Sequence, residues 1–377
     1  MRWVEPLIGV LVIWAALLDL FLTVLYARAG AGYISDHVVR ATWVFFTWVS
    51  RLFGRNRPRV LSLGGPAILV MLVATWALML TLGAALIMHP YLGTAIKANS
   101  GPTETNFLVA LYAGGSSMSL VGSSDYSPKT TGFRIVYLIN SMMGMSAMSL
   151  ALTYVMQIYN ALQRRNAIGL NLDLMSGGTG DAALLLKGLG PRGKFESGTS
   201  NLAQLAESMG NLREAHEFYP VLFYFRFASP RYAVSRMALL AFDLVSLIRS
   251  AIGGDDNQWL KESASVTQLW NASMILVKTL ESTFLPQDGS HEQDDREDRS
   301  RWFERYDAAV ETLRAAGIEV RAGDGADAYV AQRSEWQGHV RELATYMQFT
   351  MPEVDPVTED DQRRQQFRPT HDGHRIR

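Results

Sequence analysis

Two stretches of this chain carry no charged side chain: residues 66–88 (PAILVMLVATWALMLTLGAALIM) and residues 135–163. A helix of about 20 apolar residues crosses the hydrocarbon layer of a bilayer. At 23 and 29 residues, both stretches are long enough. Any fold of this chain must therefore accommodate two membrane-spanning helices. A third stretch, residues 6–26 (PLIGVLVIWAALLDLFLTVLY), contains a single charge, Asp19. Arg2 and the run Ala27-Arg28-Ala29 are features of a cleaved signal peptide, but the apolar run is long for a signal core and arginines follow it. A retained helix is the expectation. In it Asp19 faces other helices or water, because a carboxylate in lipid is costly.

Charge divides the chain into two unlike parts. Its 35 basic and 36 acidic residues nearly cancel, yet residues 1–163 hold ten basic and five acidic groups and residues 164–377 hold 25 and 31. The parts thus carry +5 and −6. No basic excess of the kind that binds nucleic acid is present. The absence of cysteine excludes disulfides, thiolate metal sites and a cysteine nucleophile. Residues 27–65 hold Arg28, Arg40, Arg51, Arg55, Arg57 and Arg59, whereas residues 89–133 hold only Lys97 and Lys129. The positive-inside rule puts the first segment in the cytoplasm, so the amino terminus is expected outside and the carboxy-terminal half inside a plasma (inner) membrane crossed several times. Within the arginine-rich segment, residues 34–54 place Val38, Val39, Trp43, Phe46, Val49 and Phe53 near helical spacing. That pattern predicts an amphipathic helix on the inner leaflet.

Between the second and third spans, Thr103 is suited to cap a helix over 103–117 containing Phe107, Leu108, Leu111 and Tyr112. That helix is too short to cross a bilayer. It runs into a stretch rich in Gly and Ser (GGSSMSLVGSSDYSP), and irregular backbone at membrane depth is tolerated only where it lines a cavity or is buried in protein. The expectation is a re-entrant loop. With this order of elements, residues 66–162 resemble the pore module of the potassium channel superfamily, and the preceding helix with its arginine-rich linker resembles bacterial proteins of the two-pore-domain type.

The resemblance implies a filter over 119–125. The family's Thr-Val-Gly-Tyr-Gly-Asp aligns with Leu120, Val121, Gly122, Ser123, Ser124 and Asp125, following Ser119. Gly144 stands 19 residues after Asp125, where simple bacterial members carry an inner-helix hinge glycine, so the resemblance makes it a gating hinge, while the residues alone read equally as an unbent helix. Leu120 removes the threonine hydroxyl that helps replace the water around potassium. Ser123 replaces an aromatic brace, and Ser124 replaces a glycine where left-handed backbone costs other residues about 1–2 kcal/mol. Selectivity is expected to weaken. Either a wider hydrated vestibule passes cations, or a ring of Leu120 side chains dewets and blocks. Asp125 reads equally as a cation-concentrating ring or as a structural acceptor. Asn140 reads as lining the cavity or as a helix contact. One pore loop cannot enclose an axis, so the likeness implies a homotetramer in lipid, with potassium or sodium as permeant ion and no cofactor or bound metal.

The fold class expected is an all-α membrane protein: three transmembrane helices with a re-entrant pore helix and filter loop, plus an all-helical cytoplasmic domain. Its parts are an N-terminal helix (1–30), a cytoplasmic amphipathic linker (31–63), and a pore module (64–163) with outer helix 66–89, pore helix 103–117, filter 119–125 and inner helix 130–163. A Gly-rich linker containing a short helix (164–198), a helical domain (199–351) and a disordered tail (352–377) follow. Helices are predicted over 199–217, 231–252, 257–282, 299–316 and 327–347. No GxGxxG unit of a nucleotide-binding domain is visible. Ser176-Gly177-Gly178-Thr179-Gly180 reads as a linker with a helix cap at Thr179 rather than a phosphate cradle. The acidic loop 288–298 lacks calcium-binding spacing. His371 and His374 lie in the tail. The aromatic run 218–227 (FYPVLFYFRF) is expected to be a buried hub of the helical domain, with a place on the membrane's inner surface as the alternative. Ser116, Ser117 and His89 lack the partners of a hydrolase, so no enzyme is expected. The sequence thus reads as a tetrameric cation channel, with a non-conducting scaffold or sensor as the alternative; the ligand of its helical domain is left open.

Overall fold

The computed structural model describes residues 3–26, 32–119, 125–285 and 295–356. Its chain forms two compact units: residues 1–160 with Phe218–Phe225, and residues 161–217 with 226–377. Helix dominates. Among the described residues the strands are β1 (Ile96–Ala98) and β2 (Tyr126–Pro128), paired antiparallel.

In the first unit, α1 (Val4–Val24), α2 (Tyr33–Ser50), α3 (Arg57–Ser62), α4 (Gly64–Met88), α5 (Phe107–Met118) and the first part of α6 (Thr131–Met175) follow in order. α1, α4 and α6 are long and apolar enough to cross a membrane. α1 and α4 approach closely at paired glycines. A Cβ on Gly9 would stand 2.5 Å from the Gly83 carbonyl oxygen, and one on Gly83 would stand 2.8 Å from that of Gly9. Small residues permit such backbone contact where lipid supplies no hydrophobic drive.

Asp19 lies buried at the junction of three helices. Its Oδ1 accepts hydrogen bonds from the Ile34 and Ser35 amides (2.9 and 3.2 Å), and its Oδ2 accepts from Ser35 Oγ (2.5 Å) and Trp76 Nε1 (2.9 Å). A carboxyl group at a helix N-terminus satisfies amides that have no partner within the helix. Asp19 thereby caps α2 from a neighbouring helix, in place of a side chain of α2 itself. Farther along α2, Trp43 packs against Gly64 and edge-on to Tyr224.

That last contact corrects the expectation for the aromatic run. Residues 218–225 belong to the first unit, not to the core of the helical domain. Phe225 presses on Gly65, where a Cβ would lie 2.7 Å from its ring, and Tyr159 of α6 meets Phe225 edge-on. Clustered aromatic rings supply a large apolar area, and here it packs at the start of α4.

The second unit is all-helical: the end of α6, then α7 (Ala182–Leu189), α8 (Gly198–Phe218), α9 (Val234–Ala251), the single turn α10 (Gln258–Lys261), α11 (Ala264–Phe284), α12 (Asp295–Ala315), α13 (Gly325–Tyr346) and α14 (Met351–Val354). Segment 164–198 is therefore not a linker. α6 runs on to Met175, and Ala182, Ala183, Leu185, Leu186 and Leu189 of α7 are buried. The turn between them consumes its own amides: Gly178 N donates to Asp173 O (2.7 Å), Gly177 N to Leu174 O (3.1 Å) and Gly180 N to Ser176 Oγ (3.2 Å). Asp181, not Thr179, caps α7 through the Ala183 amide. Nothing is left there to cradle a phosphate.

α9 is buried almost throughout and forms the axis of this unit. Its Asp243 accepts from Arg305 Nε (3.0 Å), Tyr329 Oη (2.5 Å) and Arg333 Nη1 (3.4 Å). Arg305 and Arg333 also pair with Asp355. Burial opposes the charge of Asp355, but the two guanidinium groups outweigh it and hold its carboxyl below the usual range. The predicted tail beginning at 352 thus begins too early: α14 is closed by a Thr350–Glu353 capping box, and Asp355 is buried. Residues 357–377, with His371 and His374, lie outside the described residues, as does most of the acidic loop. His216 of α8 is buried with Nδ1 2.8 Å from Leu212 O, and burial pushes its pKa down to about 3.

Candidate functional site

The segment between α4 and α6 enters and leaves beside the β1–β2 pair. Asn99 N donates to Asp125 O (2.8 Å), and Lys97 pairs in register with Ser127. Between these points the chain forms α5. Its cap is Asn106, whose side chain accepts from Val109 N at 2.9 Å. Thr103, the expected cap, instead accepts from Ala98 N and steadies the end of β1. Asn106 is as good a cap by residue type, and it lies directly before the apolar run.

α5 packs along α4 toward the middle of that helix. A Cβ on Gly114 would meet Ala85 N at 2.6 Å, and one on Gly115 would meet Thr81 Cγ2 at 3.1 Å. Thr81 lies seven residues inside Met88, about 10 Å along the helix axis. Ala85, Met88, Leu92, Ile96, Ala110 and Ala113 form the apolar core that holds this arrangement. The pairing of small residues explains why α5 lies so close, and the GGSS run forms its last turn, as the expected helix end at 117 implies.

α6 closes the other side. Asn140 is buried and its Nδ2 donates to Ser117 Oγ (3.0 Å), which in turn donates to Gly114 O (2.7 Å). Of the two roles open to Asn140, the structure gives it the helix contact. α6 is unbroken at Gly144, and a Cβ there would lie 1.9 Å from Met118 O. Gly144 is thus the seat of the α5 carboxy terminus. Beneath it lies an apolar cavity of about 320 Å³, with Trp76, Leu80, Thr81, Met118, Ser119 and Ala147 among its lining.

Of the expected filter residues, Ser119 and Asp125 are described, and Leu120, Val121, Gly122, Ser123 and Ser124 lie outside the described residues. Ser119 is extended and follows α5 with its amide on Gly115 O (2.9 Å). Asp125 Oδ2 accepts from Tyr112 Oη at 2.7 Å, which ties the return of the segment to the middle of α5. Tyr112 was legible as a helix residue but not as this brace. Trp76, which joins the cavity wall to Asp19 and meets Tyr154 of α6 edge-on, has no sequence signal beyond its place in an apolar run. His89 pairs with Glu5 at 2.8 Å and Ser117 is held by Asn140, so each has a structural partner.

No family model and no solved structure matches the chain. Among curated proteins it is similar to the uncharacterized membrane protein YdjJ of Bacillus subtilis (strain 168), with 22% identity over 223 residues, 58% of this chain and 61% of that protein. The chain spans about three fifths of the length of the curated relative it matches. The relative's description and the three apolar helices agree on a membrane location. This is an all-α membrane protein.

Proposed function

We infer that the chain is a subunit of a homotetrameric, potassium-channel-like cation channel with weakened potassium selectivity. The observation that carries this reading is the short helix α5 held between two spans, with its carboxy terminus aimed at mid-helix of α4 and α6. In such a re-entrant loop the partial negative charge at the helix end favours a cation. Gly144 would couple α6 to that loop, since a bend there draws α6 away from Met118. The chain would sit in the plasma membrane with its amino terminus outside and its second unit in the cytoplasm, the orientation that its arginine distribution favours.

Flux through full-length protein reconstituted in liposomes tests this. Potassium and sodium are expected to pass at similar rates, and a large organic cation to pass more slowly. Strong potassium preference would contradict the reading of Leu120 and Ser124. Absence of flux from assembled tetramers, restored by Leu120→Thr with Ser124→Gly, would make the protein a scaffold that retains the pore architecture.

A further inference from the structure

We propose that α2, the 3-10 turn Arg51–Asn56 and α3 form a docking surface for anionic phospholipid headgroups, independent of whether the pore conducts. These elements pack on one another between α1 and α4. Ser35, Val39, Trp43 and Ser50 of α2 are buried, at steps of four and seven. The opposite face carries Tyr33, Val44, Trp48 and Arg51, with Phe45 and Leu52 alongside; all are exposed, Trp48 to 59% and Leu52 to 72%. An aromatic and aliphatic stripe ending in arginine matches the boundary between acyl chains and headgroups.

Three observations identify the occupant as lipid. First, the Asp19 bonds to Ile34 and Ser35 fix the start of α2 level with a residue of α1 that lies five positions before Val24. That is about 7 Å inside the end of an apolar helix. Second, α3 leads through Leu63 into the next span, so the surface is tethered at the membrane boundary from both ends. Third, residues 33–62 contain five arginines against one carboxylate, Asp36, which is already paired with Arg40 at 2.9 Å. Arg51 and Arg59 are exposed. A positive, half-apolar surface held at the boundary is complementary to a leaflet of negative lipid.

Native mass spectrometry of the full-length protein with equal amounts of phosphatidylglycerol and phosphatidylcholine tests the proposal. Phosphatidylglycerol is expected to be retained in excess. Arg51→Gln with Arg59→Gln should lower that excess about 30-fold, the equivalent of roughly 1 kcal/mol for each arginine. Trp48→Ser should reduce retention of both lipids. Both variants change exposed side chains, and unchanged thermal unfolding confirms that each is folded. Equal retention of the two lipids by the wild type, or an undiminished preference in the double arginine variant, overturns the proposal. Inorganic phosphate that displaces the lipid would identify a free-anion site instead. Self-association lost in Trp48→Ser would identify a surface between copies; either result overturns the lipid assignment.

Discussion

At the scale of single residues, Asp19 shows how a polar group inside an apolar helix is accommodated. Four donors from two other helices meet its two oxygens. Asp19→Ala would leave the Ile34 and Ser35 amides and the Trp76 indole buried without an acceptor. At about 1–3 kcal/mol for each stranded donor, a loss of at least ~3 kcal/mol is expected in thermal unfolding of the solubilised protein. Asp19→Asn keeps one acceptor oxygen and should lose about half as much. The aspartate was legible as a residue that must face protein or water, because cost alone dictates that. Its partners were not, since Ser35 and Trp76 stand 16 and 57 positions away and carry no pattern. His216 makes a second prediction at this scale. Its folded pKa of about 3 lies below the ordinary value near 6.5, so the neutral form is favoured in the fold. Its contribution is complete above pH ~6.5 and is lost as pH falls toward the folded value. Stability at pH 5 should be lower than at pH 7 by about 2 kcal/mol from this residue. His216→Gln should flatten that part of the pH profile; an unchanged slope would place the proton elsewhere.

Among the elements, those set by periodic or continuous apolar patterns were legible and those set by distant charge were not. The spans and the amphipathic α2 follow from hydropathy, but the stripe expected on the inner leaflet turns inward instead: Val39 and Trp43 are buried in protein, Val38, Phe46 and Val49 are half-buried, and Phe53 is exposed in the turn beyond α2. α14 was lost in a stretch rich in Pro and charge that reads as tail. What orders it is a pair of arginines 50 and 22 positions back, both meeting Asp355. Segment 164–198 misled in a similar way: its glycines suggest a linker, while three of them, Gly177, Gly178 and Gly180, serve a tight turn at positive φ. Asp355→Ala should leave Arg305 and Arg333 sharing Asp243 alone, a loss of about 3–5 kcal/mol. Hydrogen exchange should quicken in α12 and α13, which supply the two arginines, while α1 and α4 stay protected. The same carboxyl has a lowered folded pKa, so its stabilisation is present above the ordinary aspartate value of about 3.9 and vanishes as pH falls through the depressed one. The acid limb of the unfolding curve should shift to higher pH in Asp355→Asn.

For the whole molecule, composition foretold two unlike parts with a joint at Gln163, close to the observed division after Asn160, but not the return of residues 218–225. The division falls within α6, and residues 218–225 return to the first unit after α7 and α8 have been laid down in the second. A hydropathy profile cannot show such a return, because a short aromatic run fits either unit equally well. The return bears on the order in which a ribosome releases the chain. Gly65 and Trp43 are synthesised early, whereas Phe225, which fills the space beside Gly65, emerges 160 residues later. At about 5–20 residues per second, that is a wait of roughly 8 to 32 s during which the start of α4 lacks part of its packing. A nascent chain stopped after Gln163 should therefore be degraded or captured by chaperones, and one stopped after Phe227 should resist protease over α2 and α4. Pulse-chase proteolysis of stalled chains measures this, and equal protection at both lengths would show that the aromatic return arrives too late to matter.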